Sequence, residues 1–209
     1  MLLQKKSLNQ IFFLYENNWS ASKKIKEQIQ KELGCKLMRI NSRLVSAQNR
    51  DRFYVFNWGV EQPKDRHISF QDIKETDYEK QKPFKMKRTP SRERMWSNGN
   101  GRNGGHTCTN ITFAEKVNTI TVKQDRSNNA GLVQFEDFCR YLTTEELEKC
   151  QTLPVGYTKA VSRAQAEKGI GNGWTAEVII HILNGALKNV PIDKKIVVVS
   201  MYDGMGTGR

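Results

Sequence analysis

Gly171-Asn-Gly-Trp-Thr-Ala-Glu-Val-Ile-Ile-His-Ile-Leu183, followed after Pro191 by Lys195-Ile-Val-Val-Val-Ser-Met-Tyr-Asp-Gly-Met-Gly-Thr-Gly208, is the stretch that decides the fold. Its first part sets a glycine-bracketed Asn172 and Trp174 before Val178, Ile179, Ile182 and Leu183, which share one helix face, and so predicts a loop feeding a helix over 176–188. Its second part, Ile196 to Val199, is too short for a helix and is β-branched throughout. That pattern predicts a buried parallel strand at 196–200. Gly204, Gly206 and Gly208 would then let backbone approach a ligand at the strand's carboxyl end, or simply make a tight turn.

Working outward, 209 residues with 37% apolar content and mixed α and β patterns suggest one α/β domain with a smaller lobe. A net charge of +12 and an isoelectric point near 9.6 point to a polyanionic partner, nucleic acid above all, or to a merely soluble basic protein. Cys35, Cys108, Cys139 and Cys150 have no paired spacing, so neither a metal site nor a disulfide framework is expected, and a reducing cytoplasm fits. The apolar run Ile11 to Tyr15 is far too short for a signal or membrane segment.

That same pentad predicts a central strand whose carboxyl edge carries Glu16-Asn17; alternatively Glu16 belongs to the N-terminus of the helix that follows Ser20 or Ser22 and ends at Gly34. Strands are expected over 37–40 and 52–56, paired, with Gln48, Arg50 and Arg52 near their connection. Asn118 to Val122 alternates polar and apolar residues and predicts a further strand. Between Trp58 and Phe135 the chain turns polar, basic and glycine-rich. Lys82, Lys85, Lys87, Arg88, Arg92 and Arg94 are interleaved with Phe84 and Trp96, a pattern that suits a phosphate backbone or a solvated loop.

Taken together, Glu16-Asn17, Gln-Asn-Arg-Asp-Arg at 48–52, Arg-Tyr-Leu-Thr-Thr-Glu-Glu at 140–146, Gln-Thr-Leu-Pro-Val-Gly-Tyr at 151–157 and Gly-Asn-Gly-Trp-Thr at 171–175 resemble successive motifs of the DNA cytosine-5 methyltransferases. The resemblance spans nearly the whole chain, and Ser-Met-Tyr-Asp-Gly-Met-Gly-Thr-Gly resembles the cofactor motif that opens those enzymes. It implies an α/β fold built on a partial Rossmann-like S-adenosylmethionine methyltransferase sheet with an inserted target-recognition lobe. Residues 1–58 would be the late half of the catalytic sheet, 59–135 the recognition region, 136–190 helices returning to the catalytic domain, and 191–209 the cofactor strand and loop.

The implied chemistry adds a cysteine thiolate to C6 of a flipped-out cytosine, after which C5 takes a methyl group from S-adenosylmethionine. Glu16 would bond N3 and the exocyclic amine, and Arg52 would hold O2, with Arg50 beside it. Asn172, Gly173, Trp174, Tyr202, Asp203, Gly204, Met205, Gly206 and Thr207 would hold the cofactor. Double-stranded DNA would meet Gln48, Lys85, Lys87, Arg88, Arg92 and Arg140.

The sequence departs from the family in three places. Asn18 stands where an apolar residue usually follows Glu-Asn, and Lys149 stands where an arginine usually precedes Gln-Thr. The family's nucleophile lies in a Pro-Cys pair, and no cysteine here follows a proline. The motif order is also rotated, so the resemblance implies a circularly permuted and truncated enzyme whose nucleophile comes from a further segment or a second polypeptide. The alternative is a non-catalytic DNA-binding subunit or remnant.

Overall fold

Asp51–Phe56 forms β3, the strand on which both of its neighbours depend. β1 (Leu14–Asn18) pairs antiparallel on one side and β2 (Leu37–Asn41) antiparallel on the other, giving the order β1-β3-β2. The computed structural model describes residues 11–87, 89–90, 92–93, 108–126, 129–135 and 138–201. These form a mixed α/β structure with two small antiparallel sheets, the second being β4 (Val133–Gln134) against β5 (Cys139–Arg140).

The connection between β1 and β2 is helix α1 (Lys23–Leu33), bounded as its end residues dictate. The Ser22 hydroxyl accepts the Ile25 N–H, and Gly34 ends the helix at φ 68°, a left-handed conformation that costs glycine nothing. The short helices α2 (Phe70–Ile73) and α3 (Tyr78–Gln81) follow β3. After β5 come α4 (Thr144–Cys150), α5 (Arg163–Asn172) and α6 (Ala176–Leu187).

Period two in the sheet puts Leu14, Glu16 and Asn18 of β1 on the same face as Arg52, Tyr54 and Phe56 of β3 and Met38 and Ile40 of β2. α6 covers this face. Its buried Val178, Ile179 and Ile182 pack with Ile40, Tyr54 and Phe56, and each such side chain contributes about 1.5–3 kcal/mol on full burial. The Trp58 indole donates to the Ile182 carbonyl at 2.8 Å and fastens the far end of the strand to the helix. A second core joins Phe70, Ile111, Val117, Ile120 and Val133 to Leu142, Leu147 and Ile170, so the polar region after Trp58 contributes heavily to the interior.

Three expected elements differ. The central strand at 11–15 begins instead at Leu14 and lies at the sheet edge, with Glu16 opposite Tyr54 in mid-strand. The strand at 118–122 is absent: Val117 makes a single parallel bridge to Gln48, and Ile120 is buried by packing without a ladder. The parallel strand at 196–200 is absent too. The run forms no ladder with any described strand, and Val197 and Val199 are 78% and 82% exposed. Among the described residues no helix is long and apolar enough to cross a membrane.

The deepest charge is Arg140. Its guanidinium grips Glu146 through two nitrogens at 2.7 and 2.9 Å, with both side chains removed from solvent. Glu146 also accepts the N–H groups of Thr143, in the capping box of α4, and of Glu75. Arg140→Met would leave this carboxylate buried without a cation, so we expect about 3–5 kcal/mol of lost stability, read as a lower urea midpoint in equilibrium unfolding.

Candidate functional site

Of the Gln-x-Arg-x-Arg residues only Arg52 belongs to β3; Gln48 and Arg50 precede the strand, and the environments of the three separate them. Arg52 is a diagonal neighbour of Glu16, and its Nε meets a Glu16 carboxylate oxygen at 2.9 Å. The other carboxylate oxygen accepts the indole N–H of Trp174 at 3.3 Å. Ser22 is the cap of α1, so Glu16 is engaged in this triad and takes no part in capping that helix.

Arg50 is buried and has a different task. It donates to the carbonyls of Ile120 at 3.1 Å, Gly171 at 3.3 Å and Gly173 at 2.8 Å. Burial, reinforced by the neighbouring Arg52, lowers its pKa to about 10, which still leaves it charged at neutral pH. Gln48 is buried as well. Its amide donates to the Cys150 carbonyl at 2.7 Å and to Gln151 at 2.8 Å, while its oxygen accepts the Ile120 N–H.

Gly171 lies at the end of α5, where a side chain is excluded: an added Cβ would stand 2.8 Å from the Thr121 carbonyl carbon. This close approach brings 119–122 and the end of α5 together at the ends of β1 and β3. They enclose an open cavity of about 500 Å³, lined among others by Asn18, Trp19, Arg52, Thr119, Thr121 and Asn172. Glu16 and Trp174 stand behind Arg52 and do not line it.

The expected site residues therefore divide. Glu16, Arg52, Trp174 and Asn172 gather at or beside the cavity. Gln48 and Arg140, expected on DNA, are corrected: both are fully buried and bonded to protein, because polar side chains in the interior must find partners there. Arg50, expected in catalysis, holds backbone carbonyls. Arg92 pairs with Asp125 at 2.9 Å and is only slightly exposed, whereas Lys85 and Lys87 are exposed and form no salt bridge among the described residues. Lys85 places its ammonium 4.0 Å from the Phe138 ring centroid. Arg88 and the run Tyr202, Asp203, Gly204, Met205, Gly206 and Thr207 lie outside the described residues.

No cysteine lines the cavity. The Cys150 thiol is wholly buried, and burial together with the nearby Glu146 carboxylate pushes its pKa far up, which suppresses the thiolate. Among the described residues no group of three or more His, Cys, Asp or Glu side chains could hold a metal ion. Trp19, Thr119 and Thr121 escaped the sequence reading. The one visible signal was an aromatic residue directly after Glu16-Asn17-Asn18. Compared with known proteins, the chain matches no family model and no curated protein.

Arg50→Met removes the donors that tie both cavity walls to β3. We expect a loss of about 3 kcal/mol or more, since hydrogen bonds from a charged donor are worth about 1.5–3 kcal/mol each. Amide hydrogen exchange should rise at 120–122 and 171–174 while α1 keeps its protection.

Proposed function

We propose that this chain is the base-reading part of a DNA cytosine-5 methyltransferase. The observation that carries the reading is the meeting of Glu16, Arg52 and Trp174, the first and last being 158 residues apart in sequence, beside a cavity large enough for a nucleotide. A carboxylate and a guanidinium side by side match the edge of cytosine: the carboxylate accepts from the exocyclic amine and a protonated N3, and the guanidinium donates to O2. One carboxylate oxygen is taken by Arg52 and the other by Trp174, so Glu16 would meet the base edge by exchanging or sharing one of these donors. The base must leave its duplex to reach the pair.

S-adenosylmethionine is the methyl donor this reading requires. Among the described residues of its expected site the fit is poor. The Gly173 carbonyl is occupied by Arg50 and Gln151, and the Trp174 N–H by Glu16, so of the described residues expected to hold the cofactor Asn172 alone lines the cavity. The reading therefore concerns how the base is held. The nucleophile would come from a Pro-Cys segment on another polypeptide or segment, as a partner of this one. A second reading, a non-catalytic DNA-binding subunit, is favoured by the absence of any cysteine from the cavity lining.

Supplied with a polypeptide carrying the Pro-Cys segment, the chain should transfer labelled methyl groups to DNA, and residues 1–209 alone should not. In that reconstituted enzyme Glu16→Gln should lower methyl transfer by roughly 10²-fold or more, with duplex affinity held within about threefold because phosphate contacts dominate it. Full activity in the variant would remove Glu16 from the reading, and transfer that no added polypeptide restores would favour the non-catalytic one.

Phosphate contacts are themselves measurable. Replacing Lys85 and Lys87 with Ala should flatten the log-log salt dependence of duplex binding by about two units, near 0.9 per phosphate. Arg92→Ala should leave that slope unchanged, because Asp125 already holds the Arg92 guanidinium.

A further inference from the structure

We infer that the mouth of the cavity grips a phosphate of the nucleotide whose base faces Arg52, with Lys26 as the cation and Trp19 as the platform that holds it ready. The inference rests on the nucleotide reading above and adds a contact which no motif assigns. Trp19 lines the cavity, and its backbone N–H donates to the Asp51 carbonyl, which fixes it to the start of β3. The Lys26 ammonium lies 3.7 Å from the centroid of the indole ring, and the Arg39 guanidinium carbon lies 4.6 Å from it. Both distances are within the range of cation–π attraction.

Charge accounting separates these two cations. Arg39 is engaged by Asp51 through Nε and one terminal nitrogen, at 2.6 to 3.1 Å. Arg52 is engaged by Glu16, and Arg50 by backbone carbonyls. Lys26 has no carboxylate partner among the described residues, and the first turn of α1 around it, with Lys23 and Lys24, contains no acidic residue. Asp51 and Glu16 are already matched by arginines, and Glu27, the residue after Lys26, by Lys23, so Lys26 leaves the mouth with a positive excess.

The cavity offers a nucleotide more than charge. Arg52 stands on the Glu16 face of the sheet, whereas Arg39, whose guanidinium meets the Trp19 ring that Lys26 also meets, alternates onto the opposite face, so base and phosphate would occupy opposite sides of the strand ends. Asn18, Thr119, Thr121 and Asn172 supply amides and hydroxyls between them. The volume of about 500 Å³ falls within the range usual for small-molecule pockets. A lysine already stacked on an indole has lost part of its rotamer freedom before the anion arrives, which favours binding.

The test uses the full chain and four probes, deoxycytidine 5′-monophosphate, thymidine 5′-monophosphate, deoxycytidine and inorganic phosphate, followed by the indole N–H resonances in NMR titrations at low salt. Deoxycytidine monophosphate should bind about tenfold more tightly than deoxycytidine, the worth of one charge-assisted hydrogen bond. Lys26→Gln should abolish that margin and leave deoxycytidine binding unchanged. Glu16→Gln should weaken both deoxycytidine ligands alike and preserve the margin. A margin that survives Lys26→Gln, or no margin at all, overturns the phosphate grip. Inorganic phosphate binding as tightly as the nucleotide overturns it as a nucleotide site. Equal binding of the two monophosphates, with a margin that still depends on Lys26, upholds the grip and defeats the cytosine reading instead.

Discussion

A buried polar knot built on Gln48, Arg50 and Gln151 is the constraint on which the rest of the molecule depends. Gln48 ties the approach to β3 to the end of α4, Gln151 ties that end to the carbonyls of Ile170 and Gly173, and Arg50 reaches Ile120, Gly171 and Gly173. Thr175 continues the chain of bonds from Gln151 to Ser42, next to β2. Four segments that are remote in sequence thus share one set of donors and acceptors. In a low-dielectric interior such bonds are strong when all are made and costly when one is missing, so the knot specifies a single arrangement of those segments.

That arrangement holds Glu16 between two donors and leaves Arg52 at the surface of the cavity. The carboxylate is consequently latched: a ligand that recruits it must share with or displace the Trp174 N–H or the Arg52 guanidinium. Preorganisation of this kind aims the groups in advance and limits the reorganisation that accompanies binding. It also gives the unliganded protein a satisfied ion pair, which avoids the penalty of a half-buried carboxylate without a partner.

How much of this could be read from the sequence depended on how far each cause reaches along the chain. The helix between Ser22 and Gly34, the strand pair ending at Phe56 and the helix after Trp174 follow from caps and periodicities that lie within a few residues, and all three were legible. The pairing of Glu16 with Arg52 was legible only as a shared role, carried by a resemblance. Gln48 and Arg50 were misread because their partners lie remote in sequence, Cys150 for the one and Ile120 and Gly173 for the other, whereas Arg140 was misread although its partner Glu146 stands six residues on in the same motif. Helix α5 was missed because two glycines dilute its pattern, although Ser162 and Gln165 form a capping box at its start. The run at 196–199 has the composition of a strand, and composition alone cannot supply the neighbour that a strand requires.

That exposed run has a consequence for handling the protein. Ile196-Val-Val-Val199 combines high β-propensity with no internal charge, and Lys194 and Lys195 directly precede it. Two such lysines act as gatekeepers: like-charge repulsion between copies opposes the in-register stacking that the valines favour. Their effect is electrostatic and so fades as the Debye length shrinks, to about 3 Å at 1 M salt. High-salt washes, a common way to strip nucleic acid from a protein of this charge, would therefore remove the restraint on self-association at the same step.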